Sequence, residues 1–256
     1  MSKYWHLSAG KMKVFSLGLL ILSVLAVNAH AQAFLGSSWD FSVLGAQTVT
    51  NTGTTTLNAD VGVSAGSAVT GSGSIVFTGP NNVITSTSAA AAGQIAATNA
   101  VNAINALVGT SEGPDLTGAT LSATGNNTNT VYDVGAATFN IDSSKSLTLD
   151  FAGHTDANII FVMSSTLITG SGSSVLIENA RTNDNVYWEV GSSATLGTTT
   201  SFVGNIIAYT AVTLDTGATI GCGSVVAQNA AVTMDHNTIS DTCSMTSGRS
   251  ATVAGS

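Results

Sequence analysis

The C-terminal half of the chain repeats itself at a period of about nineteen residues, and that period constrains the fold more than any other feature. Thr195-Leu196-Gly197-Thr198-Thr199-Thr200-Ser201-Phe202 aligns with Thr213-Leu214-Asp215-Thr216-Gly217-Ala218-Thr219-Ile220. Thr233-Met234-Asp235-His236-Asn237-Thr238-Ile239 follows, one residue shorter. Gly204-Asn205-Ile206-Ile207-Ala208 likewise matches Gly223-Ser224-Val225-Val226-Ala227. Each unit breaks short alternating apolar segments with Gly, Asn or Asp, the pattern of short strands joined by turns. The period is too short for a propeller blade and lacks the leucine-rich pattern. It fits one triangular coil of a parallel β-solenoid. Leu196, Phe202, Ile206, Leu214, Ile220, Val225, Met234 and Ile239 would then point inward and stack as apolar ladders. An antiparallel sandwich would not require the same side chains to recur at a nearly constant register.

One segment departs from this pattern. Ser88 to Val108 is rich in Ala, with Ile95, Val101, Ile104, Leu107 and Val108 at three- and four-residue spacing. The spacing predicts a helix over about 88–108, capped by Ser88, ended at Gly109 and laid along one solenoid face. Gly71 to Thr87 and Thr110 to Asn129 read as connections. Short strands precede the helix at Thr48-Val49-Thr50, Thr54-Thr55-Thr56-Leu57 and Val61-Gly62-Val63. That piece is too small for a core of its own. The expectation is one domain over 32–243, mainly β, whose solenoid is discontinuous in sequence, followed by a polar tail at 244–256.

The first 31 residues read as a secretory signal. Lys3, Lys11 and Lys13 precede an apolar run from Val14 to Val27, and Ala29-His30-Ala31 gives a small-x-small cleavage site. The run is shorter than the roughly twenty residues of a membrane span. The expected location is extracellular, with no membrane partner. Cleavage leaves Lys145, Arg181 and Arg249 against fourteen carboxylates, a balance of −11. Nucleic acid is excluded as a partner, because phosphate contacts need clustered cations. Disorder is excluded by a 44% apolar content. Secretion permits a disulfide, and Cys222 with Cys243 is the available pair, worth about 3 kcal/mol in the chain-entropy model.

Catalytic chemistry is hard to assemble from this sequence. The mature histidines are His154 and His236, in different coils, and neither belongs to a paired-ligand motif. Asp150, His154 and Asp156 read as a polar corner rather than a metal site. Asp215 and Asp235 recur at one repeat position, where Asp is common turn chemistry. Nucleophile elbow, phosphate loop and dinucleotide fingerprint are all missing. Trp39 and Trp188 are too few for a sugar-binding groove, and Trp188 reads equally as a core residue. No enzyme activity, cofactor or metal is expected.

What recurs instead is hydroxyl. The chain holds 36 Thr and 32 Ser, while charged residues make up only 8% against a typical figure of about 25%. Ser67-Ala68-Val69-Thr70, Ser171-Gly172-Ser173-Ser174, Thr198-Thr199-Thr200-Ser201 and Thr216-Gly217-Ala218-Thr219 share a pattern of small or hydroxyl residues ending in a hydroxyl. Asn237-Thr238 continues it. Coils about 4.8 Å apart would stack these windows into a flat, uncharged surface. Threonine offers a methyl and a hydroxyl together, a match for a lattice of water. The rival reading is the ordinary preference of Thr for exposed strands.

Several segments resemble the secreted microbial ice-binding proteins, which have a discontinuous β-solenoid and an accompanying helix. They are Phe41-Ser42-Val43-Leu44-Gly45, Asp60-Val61-Gly62-Val63-Ser64-Ala65-Gly66, Leu147-Thr148-Leu149-Asp150, Asn158-Ile159-Ile160-Phe161, and the run from Val186 to Gly197. The resemblance covers roughly residues 40–240. It implies a right-handed β-helix of triangular section with the helix along one face, and a flat face that adsorbs to ice. Thr216–Thr219 fits the family's Thr-Ala/Gly-x-Thr/Asn window fully, whereas the windows at 171–174 and 198–201 depart from it. The candidate ice-contact residues are Thr54, Thr56, Ser67, Ala68, Thr70, Ser171, Ser174, Thr198, Thr199, Ser201, Thr216, Gly217, Thr219 and Thr238. The expected partner is an ice crystal surface, met by a monomer. A solenoid adhesin or polysaccharide-binding module is the alternative, and an enzyme on a β-helix ranks third.

Overall fold

The computed structural model describes residues 34–35, 40–181 and 183–241. The expected signal at 1–31, Trp39, Cys243 and the tail at 244–256 lie outside the described residues. Among these residues the strands form three parallel sheets, here faces A, B and C, of nine, seven and eight strands. The chain visits them in rotation. Asn205–Ala208 lies on A, Val212–Leu214 on B and Thr219–Gly221 on C, before the return to A at Val225–Ala227. A parallel sheet cannot be made from hairpins. Here each crossover between neighbouring strands of one face is the other two sides of the coil.

The coils are not stacked in chain order. The first coil (Phe41–Gly45, Thr48–Thr52, Thr55–Leu57) pairs on one side with the second (Asp60–Val63, Ala68–Thr70, Ile75–Phe77). On its other side it pairs with the last coil (Val225–Ala227, Val232–Asp235, Thr238–Ile239). The helix α1 (Ser88–Asn105) makes this possible. It carries the chain along face A from Val83–Thr85 at one end towards Thr110–Ser111 at the other. The predicted discontinuity is therefore present. The stretches read as connections do contribute coils, through Ile75–Phe77, Val83–Thr85, Thr110–Ser111 and Thr120–Ser122. Strands this short show no readable alternation; pairing to a neighbouring coil orders them.

All eight residues expected to point inward are buried in one continuous core. Its widest part is an aromatic stack. Trp188 lies flat on Phe161, centroids 4.0 Å apart, with Phe139 and Phe202 against it. Its indole N–H donates to the Val203 carbonyl at 2.9 Å. Trp188 is thus a core residue.

The helix differs from its prediction in both bounds and buried face. Thr87, not Ser88, supplies the cap, accepting from the Ala90 N–H, and the helix ends at Asn105. Its buried residues are Ala90, Gly93, Ala97, Ala100 and Ile104. Ile95 is 63% exposed and Val108 lies beyond the helix, 95% exposed. Small side chains let the helix backbone settle onto Phe41, Leu44, Val226 and Ile207 of face A. A Cβ on Gly93 would sit 2.9 Å from Leu44 Cδ2 and 3.0 Å from Phe41 Cε2. Of the predicted stripe, Ile104 is buried in this contact and Val101 and Leu107 pack against it, while Ile95 and Val108 face away; the first half of the contact is made by small residues, which close approach selects.

Candidate functional site

Face A is closed to solvent by α1, and Phe34 and Leu35 join the same cluster around Tyr187. Among the described residues faces B and C carry no α-helix. On face B the backbone register aligns Asn140, Ile168, Thr195, Thr213, Thr233, Thr50 and Thr70 in a single outward column. Five consecutive coils present threonine there. The Thr70 hydroxyl donates to the Thr50 hydroxyl at 3.2 Å, extending the row by a hydrogen bond. Beside this column Thr48 pairs with Ala68, and the Thr166 hydroxyl donates to that of Thr138 at 3.0 Å. The five-threonine run contains no charged side chain; at its far end the column runs past Ile168 and Asn140 to the exposed Asp115, which is bridged to Asn140.

Face C carries a second column. Ser146, Ser174, Ser201, Thr219, Thr238 and Thr56 follow one another in register, with the exposed Val76 next in line. Its neighbouring positions are less uniform. Leu176 pairs with Thr148, buried Val203 pairs with Gly221, and the carboxylates Asp150 and Glu178 stand side by side.

The hydroxyl windows read from the sequence do not share one face. Thr56, Ser174, Ser201, Thr219 and Thr238 come together on C. Ala68 and Thr70 belong to B, with Ser67 just before them. Thr54, Ser171, Thr198, Thr199, Thr216 and Gly217 sit on the edge between B and C. That edge turns through a left-handed residue in successive coils: Gly172, Thr199, Gly217, His236 and Gly53. Edge hydroxyls are partly committed to the protein. Thr216 donates to the Asp235 carboxylate, and Thr199 to the Thr198 carbonyl. The Thr216 hydroxyl, and then His236, hold the Asp235 carboxyl below the usual carboxylate range. Asp235 pairs with Thr52 at the margin of face B.

Thr50, Thr195, Thr213 and Thr233 form the core of the face B column and are not among the candidates read from the sequence. Thr195, Thr213 and Thr233 carry a signal in the repeat, where Thr opens each Thr-Leu/Met-Gly/Asp unit ahead of the hydroxyl windows; Thr50, followed by Asn51-Thr52, carries none. Other candidates are accounted for by structure. Asp150 accepts from Ala152 N and Asn179 Nδ2, and Asp156 from Asn183 Nδ2, which braces the corner between C and A. Among the described residues no group of three or more His, Cys, Asp or Glu is placed to hold a metal, and no cysteine is free.

A three-faced solenoid, closed on one side by a returning helix and bare on two hydroxyl-laddered sides, is built to meet an extended repeating surface rather than to enclose a small ligand. The ice-binding-like family pattern matches residues 43–240, and the chain belongs to that family. It is 39% identical over 233 residues to an ice-binding protein of Nostoc sp. (strain HG1), covering 88% of this chain and 82% of that one. Among solved structures it is similar to an ice-binding protein from the Antarctic ascomycete Antarctomyces psychrotrophicus, with a TM-score of 0.72 and 33% identity over 81% of this chain and 97% of that one. An ice-binding protein from an Antarctic biological consortium superposes with the same TM-score, at 32% identity over 80% of this chain and 89% of that one.

Proposed function

We propose that this protein is a secreted, non-catalytic antifreeze protein that adsorbs to ice through face B, and that the observation carrying this is its in-register column of five threonines. The coils repeat at about 4.8 Å, so the column offers methyl and hydroxyl groups at one fixed interval. Threonine is stiff at χ1, so each hydroxyl takes nearly the same position from coil to coil. Water held between the methyls and hydrogen-bonded to the hydroxyls is already ordered when the protein meets the crystal. The threonine run is neutral and leaves no ionic hydration shell to be stripped away from it. Ice growing between adsorbed molecules must curve, which lowers the local freezing point and slows recrystallisation. The serine-rich column of face C and the edge residues Thr54, Ser171, Thr198, Thr199, Thr216 and Gly217 extend this contact as a weaker flank.

Export by the segment at 1–31 places the protein outside the cell, where a Cys222–Cys243 bridge secures the last coil. The deciding experiment is ice-affinity retention of the mature protein, with crystal shaping watched under a microscope. Retention and faceted crystals are the expected result. Exclusion from the ice, with unshaped discs, overturns the reading.

A further inference from the structure

Between the first half of α1 and the corner joining faces A and B lies an open groove of about 790 Å³. That volume falls within the range of small-molecule and chain-ligand sites. Five primary amides line it, Asn99 among them, and the other four each spend an N–H on the protein. Gln94 Nε2 donates to the Ala227 carbonyl at 3.1 Å, and Gln228 Nε2 to the Thr98 hydroxyl at 3.3 Å. Gln47 Nε2 donates to the Asn229 carbonyl at 2.8 Å, and Asn229 Nδ2 to the Tyr209 carbonyl at 2.7 Å. These four amides are thereby held in place, and no donor among the described residues is bonded to their side-chain oxygens.

The groove holds acceptors and no charge. None of its lining residues is ionisable, and the chain carries no charged residue anywhere from Val61 to Ser111. Ile95 lends an apolar wall, although it lies off the buried face of the helix. One coil beyond Asn229 on the same corner, Tyr209 stands 58% exposed. Together these features span four adjacent coils, about 14 Å end to end. An anion finds no counter-charge here, and a cation finds no carboxylate. A chain of neutral sugars supplies what is missing: hydroxyl donors for the amide oxygens, and apolar ring faces for Ile95 and the Tyr209 ring.

We propose that this groove binds a strand of neutral polysaccharide, with Gln47, Gln94, Gln228 and Asn229 accepting its hydroxyls and Tyr209 stacking on one ring. The groove opens beside the helix and leaves face B bare. The protein would then hold an extracellular matrix and an ice surface at once.

Native affinity electrophoresis of the mature protein tests this, in gels containing dextran, galactomannan or mixed-linkage β-glucan. At least one gel is expected to retard the protein. Tyr209→Ala should weaken that retardation by about fivefold, the scale of a lost aromatic contact. Gln94→Leu should weaken it too. Both variants should keep the parent thermal hysteresis, which separates this site from the ice-contact face; Tyr209→Ala should also keep the parent melting temperature, whereas Gln94→Leu gives up its bond to the Ala227 carbonyl and should melt slightly lower. Absence of retardation in all three gels overturns the proposal, as does retardation that both variants leave unchanged.

Discussion

Faces B and C are two walls of one tube, with the same coil spacing and the same parallel register, yet they differ in the residue that fills the outward column. Face B repeats threonine, whereas half of the face C hydroxyl column is serine. Serine has the hydroxyl without the methyl and turns more freely about χ1. Ordering a row of serines therefore costs more entropy and leaves the gaps between hydroxyls unfilled. Carboxylates do not separate the faces, because Asp150 and Glu178 on C have counterparts in Asp115 and Asp235 on B, all outside the threonine run. A regular backbone is thus necessary for a repeating surface but not sufficient. The side chain must repeat as well, and in one rotamer.

The comparison breaks most sharply at Thr213, the centre of the threonine run. Thr213→Tyr should remove most of the thermal hysteresis, because one bulky ring lifts the flat column off the crystal. Tyrosine suits a strand and this side chain faces outward, so stability should change by no more than about 0.5 kcal/mol. Thr219→Tyr places the same ring on face C. A smaller, partial loss of hysteresis is expected there. Equal losses would join the two faces into one contact surface, and a larger loss at Thr219 would reverse their assignment.

The covered face offers a control for both. Glu189 lies on face A beneath the end of α1, and burial pushes its carboxyl up to about 7, with a hydrogen bond from Asn105 opposing the shift. A carboxyl whose folded pKa is raised favours the folded state while protonated. Stability should therefore fall as pH rises from the ordinary value of 4.5 through 7, by on the order of 3 kcal/mol in all. Glu189→Gln should flatten that dependence in a denaturant titration. Hysteresis near the freezing point should stay level over the same range: the one titrating group in either outward column is Asp115, whose carboxyl the Thr117 hydroxyl holds below the usual carboxylate range, so it stays ionised throughout. Hysteresis that falls in step with stability would show that adsorption depends on how the helix is seated.

How far the sequence carries differs between core and surface. Leu196, Phe202, Leu214 and Met234 were legible because an inward position tolerates little but large apolar groups, and their period survives in the letters. The helix contact was legible only in its last turns, at Val101, Ile104 and Leu107, because close approach to Phe41 and Leu44 selects Gly93, Ala97 and Ala100 before them, and small residues carry little apolar signal. The same bias separated the site residues. A window ending in Thr219 looks like one beginning at Ser67, since the letters do not show where a corner falls. Register alone reveals that Thr219 belongs to face C and Thr70 to face B. Thr213 repeats more strictly than either, yet it lies inside an ordinary strand pattern where threonine is unremarked.

The edge between the two faces yields the smallest expected effect. Thr199 holds a left-handed backbone, φ 57°, at the place where the neighbouring coils have Gly172 and Gly217. A β-branched residue is strained there, and glycine is not. Thr199→Gly should raise stability by about 1 kcal/mol, read from the midpoint of a denaturant melt. Its hydroxyl is turned onto the Thr198 carbonyl, so the edge should lose little contact with ice. If the edge is only a weak flank of face B, hysteresis in Thr199→Gly stays close to the parent level. A clear drop would mean that the edge is a principal contact and that the main adsorbing surface wraps from B onto C.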